Sequence, residues 1–150
     1  MTVLGSDPTP AAAGILLAVA GAHLAGEPLH ADLLAIGGCL AARTRTAPVY
    51  RMVALPPGGG AHVARPGLIR APGAGAAIEV EVYRVPVERV GALLLTVAPP
   101  LALGTVTLAD ATDVTGFVCE GYAAADAVDI TCYGGWRRYL TATAAGRAPA

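Results

Sequence analysis

The chain has 150 residues, of which 55% are hydrophobic and 14% charged, with a net charge of −1. That length suits one domain burying most of its apolar surface in a single core, and the composition excludes a disordered chain. The charge balance leaves no electrostatic footprint for nucleic acid or for an anionic membrane.

Lysine is absent, so any anion site must use arginine, histidine or backbone N–H groups. Cys39, Cys119 and Cys132 lack CxxC or Cys/His spacing, which suits small buried hydrophobes in a reducing compartment better than disulfides or zinc ligands. The apolar run from Ala11 to Ala22 is too short to span a bilayer. It also lacks a basic leader, Asp7 being the only charged side chain before it. A soluble, cytoplasmic protein is expected.

Residues 1–13 are expected to form a flexible N-terminal arm, 14–145 a single domain and 146–150 a frayed tail. Ile15 to Val19 is a continuous apolar run, as in a strand buried on both faces. The small residues Gly21 to Gly26 then form a strand-to-helix turn. Leu29, Leu33, Leu34 and Ile36 follow near helical spacing, and Gly37-Gly38 ends that helix. Cys39–Arg45 and Val49–Leu55 read as strands interrupted at Ala47-Pro48, where proline marks an edge, a bulge or a bend. Pro56 to Gly60 reads as a surface loop; no Lys-Ser/Thr follows its glycines to make a phosphate cradle.

Gly67–Arg70 is a short strand, and Ala76–Val85 the clearest one. Ile78, Val80 and Val82 fall on one face, with Glu79, Glu81, Tyr83 and Val85 on the other. Pro86 starts a helix whose apolar face is Val87, Val90, Leu93 and Leu94. Leu103–Leu108 and Val114–Cys119 are strands around a turn at Asp110–Asp113, and Gly134-Gly135 starts a last helix through Leu140. Six or seven short strands with two to three helices predict an α+β fold, its mixed sheet curled toward a barrel with helices packed outside.

Four groups of residues can carry chemistry. His23 stands in the glycine turn. His30 and His62 do not share metal-ligand spacing with it, and no carboxylate completes a set, so neither metal nor cofactor is expected. Glu120 ends an apolar strand, where partial desolvation would make its carboxylate seek a donor. Arg43 and Arg45 share a strand face and Arg51 follows on the next strand; converging guanidiniums bind carboxylates bidentately, and a solvated charged edge gives the same pattern. Asp129 to Arg137 joins polar side chains to a glycine-started helix, as an anion-binding helix start or as a plain cap with a Trp136 core anchor.

Taken in order, Val19-Ala-Gly-Ala-His-Leu-Ala-Gly-Glu-Pro-Leu29, Thr44-Arg-Thr-Ala-Pro-Val-Tyr-Arg51, Ile78-Glu-Val-Glu-Val82, Gly116-Phe-Val-Cys-Glu120 and Asp129-Ile-Thr-Cys-Tyr-Gly-Gly-Trp-Arg137 resemble the C-terminal domain of allophanate hydrolase. Gly67-Leu68 and Leu103-Gly-Thr-Val106 belong to the same ordered set, which covers roughly residues 15–141. The resemblance implies a gamma-glutamyl cyclotransferase-like fold, a small mixed β-barrel with helices outside. Cyclotransferases carry a Tyr-Gly-Ser-Asn-Leu-like turn after the first strand. Here Ala20-Gly21-Ala22-His23-Leu24 lacks its tyrosine and serine and has histidine for asparagine, which puts cyclotransferase chemistry in doubt. Glu120 is the candidate for that family's acid/base glutamate. His30 and Gly121 also depart from the pattern of the allophanate hydrolase domain.

In allophanate hydrolase an amidase domain removes ammonia, and the C-terminal domain is thought to decarboxylate the resulting N-carboxycarbamate. The sequence leaves no room for an amidase and has no Ser-Ser-Lys arrangement. The resemblance therefore implies a domain working beside a separate amidase, an excised fragment, or a relative with another task. Losing carbon dioxide leaves negative charge on nitrogen, which calls for a proton donor and for groups holding two carboxylates. His23 is the expected general acid, with Glu120 orienting it or accepting from the substrate. Gly21, Ala22, Leu24, Arg43, Arg45, Tyr50, Arg51, Thr131 and Tyr133 are the expected substrate contacts. The rival readings are a non-catalytic anion-binding or assembly module of an amidase, with homo-oligomerisation open to it, and a cyclotransferase-like enzyme.

Overall fold

The computed structural model describes residues 13–57 and 63–146. Most of the expected arm, the glycines at 58–60, His62 and the tail from residue 147 lie outside the described residues.

The first strand, β1 (Gly14–Val19), sits at the centre of a five-stranded sheet. Its continuous apolar run follows from that position, because a central strand is covered on both faces. Along one edge it runs antiparallel to β5 (Glu79–Pro86), from Gly14 opposite Pro86 to Val19 opposite Glu81. Along the other it pairs in parallel with β7 (Asp113–Cys119). The sheet is completed by β2 (Cys39–Arg45), antiparallel to β5, and β6 (Leu101–Thr107), antiparallel to β7, in the order β2-β5-β1-β7-β6. A three-stranded sheet holds β3 (Tyr50–Ala54) between β4 (Pro66–Arg70) and the two-residue β8 (Val128–Asp129).

The described strands form two sheets and no closed barrel. The larger sheet does curl: just beyond its two outer strands Thr46 and Leu108 form a bridge, flanked by Ala47 N–H on Thr107 O and Ala109 N–H on Arg45 O, both at 2.9 Å. Pro48 lies where the chain leaves β2 for the second sheet, so it is a bend between sheets.

Among the described residues, three α-helices complete the α+β architecture: α1 (His30–Ala35), α2 (Val90–Leu94) and α3 (Trp136–Ala144). Pro86 precedes a 3-10 turn over Val87–Arg89 that leads into α2. With five residues, α2 is too short to bury the whole apolar set: Leu93 is buried, while Val87 and Leu94 are exposed. Gly134, at φ 69°, supplies the left-handed residue that turns the chain into α3, and buried Trp136 anchors that helix. Leu17, Leu33, Met52, Ile78, Val85, Val106 and Ile130 are fully enclosed in one core.

One expectation is corrected. Cys119 is buried, but Cys39, on an outer strand, and Cys132, in a surface turn, are exposed. On β5, Glu81, Tyr83 and Val85 are as buried as Val80 and Val82, because neighbouring segments cover this inner strand on both sides.

Candidate active site

Beyond β1 the chain turns tightly, with Leu24 N–H on Gly21 O at 3.0 Å and Leu29 N–H on Ala22 O at 2.8 Å. Gly21 is required by packing, since a Cβ there would overlap the ring of Pro66 at the start of β4. Small residues thus let the turn press against β4. The segment Ala20–Leu24 forms a partition with a cavity on each side.

On one side is a cavity of about 90 Å³ lined by Ala20, Gly21, Ala22, His23, Arg65, Pro66, Val97, Ala98 and Phe117, among others. The imidazole of His23 stacks on Phe117, ring centroids 4.9 Å apart. Burial pushes the His23 pKa below the ordinary 6.5, against a smaller opposite pull from the Asp32 charge. The Arg65 guanidinium donates to Ala98 O at 3.2 Å and Pro99 O at 3.0 Å, and its Nε is buried without a hydrogen-bond partner among the described residues. A buried cationic N–H left unpaired is costly, and a guanidinium at the cavity wall is a ready partner for a carboxylate. Arg65 was not legible as a site residue in the sequence. Its only local signal is an arginine beside Pro66 at the head of a strand, since the convergence on His23 is tertiary.

On the other side is a cavity of about 480 Å³, lined by Leu24, Arg43, Arg45, Glu79, Glu81, Trp136 and Arg137, among others. Glu81 is 2% exposed and its carboxylate accepts from Ala25 N–H at 3.0 Å, Tyr83 O–H at 2.7 Å and Arg137 Nη2 at 2.8 Å. Burial alone would raise its pKa, but these donors hold the carboxyl below the usual value. Tyr83 is pushed up to about 12 by burial and by its bond to Glu81, so it stays a donor at neutral pH. Cross-strand register explains the other charges: Arg43 faces Glu81 and Arg45 faces Glu79. Arg45 Nη2 lies 3.1 Å from Glu79 Oε1, and Arg138 Nη2 reaches the same oxygen at 2.8 Å.

The structure therefore divides the expected site residues. Gly21, Ala22 and His23 line the small cavity, whereas Leu24, Arg43 and Arg45 line the large one. Arg51 pairs with Asp129, Nη2 to Oδ2 at 2.8 Å, away from both. Tyr50 is a core residue whose hydroxyl accepts from Thr107 N–H at 2.9 Å. Thr131 Oγ1 accepts from Met52 N–H at 2.9 Å, and the Tyr133 ring meets Tyr139 edge-on at 5.4 Å. Glu120 is exposed at the end of β7 and lines neither cavity. Among the described residues no three His, Cys, Asp or Glu side chains are placed to hold a metal ion, and no helix is long and apolar enough to cross a membrane.

The family model of the allophanate hydrolase C-terminal domain matches residues 15–141. The urea amidolyase of Saccharomyces cerevisiae is 43% identical over 141 residues, covering 92% of this chain and 8% of the yeast protein. The chain thus spans less than a tenth of that relative. The crystal structure of Kluyveromyces lactis urea amidolyase superposes with a TM-score of 0.82 at 38% identity, over 87% of this chain and 8% of that one. A uropathogenic E. coli-specific protein, c4763, gives a TM-score of 0.76 at 31% identity, covering 85% of this chain and 95% of its own.

Proposed function

This chain belongs to the allophanate hydrolase C-terminal domain family, and from that premise we propose that its small cavity decarboxylates N-carboxycarbamate, or a similar small dicarboxylate, during urea or allophanate breakdown. The observation that carries the proposal is the meeting of His23 and Arg65 in one cavity of about 90 Å³ at the end of β1. A space that small suits a molecule of a few heavy atoms and is far below the several hundred Å³ of a drug-sized site.

The reaction takes one proton: the N–C bond breaks, carbon dioxide leaves, and its electron pair stays on nitrogen, which is protonated to give carbamate. His23 supplies the proton. In the empty cavity burial favours the neutral imidazole, while two entering carboxylates favour the imidazolium, so binding and proton uptake go together. Arg65 pairs with one carboxylate, and Phe117 holds the imidazole plane and excludes water. The partner is an amidase activity that delivers the substrate, and the compartment is the cytoplasm. To test this, purified protein is given freshly generated amidase product and carbon dioxide release is timed. Acceleration lost in His23→Ala supports the proposal; equal rates for parent and variant refute it.

A second reading, an assembly module for an amidase or for copies of itself, draws on the exposed apolar side chains Val87, Leu94 and Leu95 around α2. Such a module comigrates with the amidase on sizing and tolerates His23→Ala.

A further inference from the structure

The buried carboxylate of Glu81 lies outside the His23 cavity, yet it is tied to the turn that carries His23. Ala25, two residues on, has both backbone groups held: its N–H donates to Glu81 Oε2 at 3.0 Å and its carbonyl accepts from Arg137 Nη2 at 2.6 Å. The same Arg137 nitrogen donates to Glu81 Oε1 at 2.8 Å, which closes the clamp. Tyr83 donates to Glu81 Oε2 at 2.7 Å, and its oxygen lies 3.1 Å from His30 Nε2 on α1. The clamp therefore joins β5, the first residue of α1, and α3 to one turn.

We propose that Glu81 and Arg137 are positioning residues that hold the turn so that His23 points into the small cavity against Phe117. This rests on the reading of His23 as the proton donor. Stability alone gives poor reason for a carboxylate 2% exposed on an inner strand, because an apolar residue of similar volume there is commonly neutral or stabilising. The ion pair specifies geometry that an apolar contact would not, since each charged partner binds a different backbone group of the same residue. Glu81 and Arg137 line the large cavity and His23 the small one, so the clamp acts through the backbone and touches no reacting atom.

The test uses Arg137→Gln, which breaks the charge pair, Tyr83→Phe, which removes one donor to Glu81 at smaller risk to folding, and Arg137→Lys as the conservative variant. For each folded variant, kcat and KM for carbon dioxide release, the His23 titration by NMR and amide exchange at Ala25 are measured. A displacement of about 1 Å at a reacting group costs on the order of a hundredfold in rate. We expect kcat to fall at least tenfold in Arg137→Gln with KM little changed, a smaller fall in Tyr83→Phe, and partial recovery in Arg137→Lys. Ala25 exchange quickens and the His23 pKa rises toward its ordinary value in both Arg137→Gln and Tyr83→Phe. Unchanged exchange and an unchanged His23 titration in the folded variants overturn the clamp. If the parent releases no carbon dioxide, the decarboxylase reading fails while the exchange and titration still decide the positioning.

Discussion

His23 lies flat on Phe117, the ring planes 10° from parallel. The contact joins the turn after β1 to β7, the strand paired in parallel with β1. It both fixes the imidazole and dries it. Phe117→Ala should therefore bring the His23 pKa back up toward 6.5 and, at this half-buried site, cost about 2 kcal/mol of stability. NMR titration and urea unfolding check the two parts. The sign also sets a pH dependence: the folded-state pKa lies below the unfolded one, so the unfolded chain binds more protons. Stability is present above about pH 6.5 and is lost as pH falls through the folded pKa. His23→Ala should flatten that slope.

Arg65 is the cation of the small cavity, and its two terminal nitrogens are already engaged by Ala98 and Pro99 carbonyls. A charge-assisted bond from its guanidinium to a carboxylate is worth about 1.5–3 kcal/mol. Arg65→Gln should raise KM for the dicarboxylate roughly tenfold to a hundredfold. Steady-state kinetics against substrate concentration decide this; an unchanged KM removes Arg65 from the site.

Arg51 was expected at the substrate and instead meets Asp129. Burial would raise the Asp129 carboxyl, but hydrogen bonds from Thr131 and Arg51 hold it below its usual value. The pair is partly solvated, so Arg51→Ala should cost less than about 1 kcal/mol and leave carbon dioxide release unchanged. The Asp129 contribution is present above about pH 4 and lost below it, so the difference between parent and variant should shrink in acid. Unfolding curves at neutral and acidic pH measure it.

What local pattern can encode was legible. The apolar run of β1, the alternation of β5, Pro86 before a helix and Gly134 before α3 each reflect backbone and burial constraints within a few residues. The two-residue β8 was not, because its pairing of Val53 with Asp129 and Ala54 with Val128 is long-range and too short for a period. Alternation put Glu81 on a polar face correctly but said nothing of what covers that face. His23, Gly21 and Ala22 were found together because they are adjacent in sequence. Arg65 was not found, since nothing near it in sequence announces His23. Arg43 and Arg45 share a strand as expected, but their register sets them opposite Glu81 and Glu79, across the partition from His23.

Glu120 gives a separating test for cyclotransferase-like chemistry. Its side chain is exposed and lines neither cavity beside the turn. General acid/base work requires hydrogen-bond reach of the reacting group, directly or through one water. Glu120→Gln should therefore leave carbon dioxide release within twofold of the parent, on the order expected for a surface change. Formation of 5-oxoproline from a γ-glutamyl amine, abolished by the same substitution, would instead restore the cyclotransferase reading.

Gly21 links fold and site most directly. A Cβ at this position would lie 2.6 Å from Pro66 Cγ, well inside contact distance, so either the turn or the head of β4 must move. Such overpacking costs typically about 1–3 kcal/mol, which a well-packed domain survives. Both residues line the small cavity, as does Arg65 beside Pro66, so the displacement changes the shape of the site. Gly21→Ala should thus remain folded, with its melting temperature lowered by several degrees, while kcat for carbon dioxide release falls at least tenfold. Tm and kcat measured on the same preparation distinguish this from general unfolding. Full activity in a destabilised Gly21→Ala protein would show that the chemistry lies elsewhere than in this cavity.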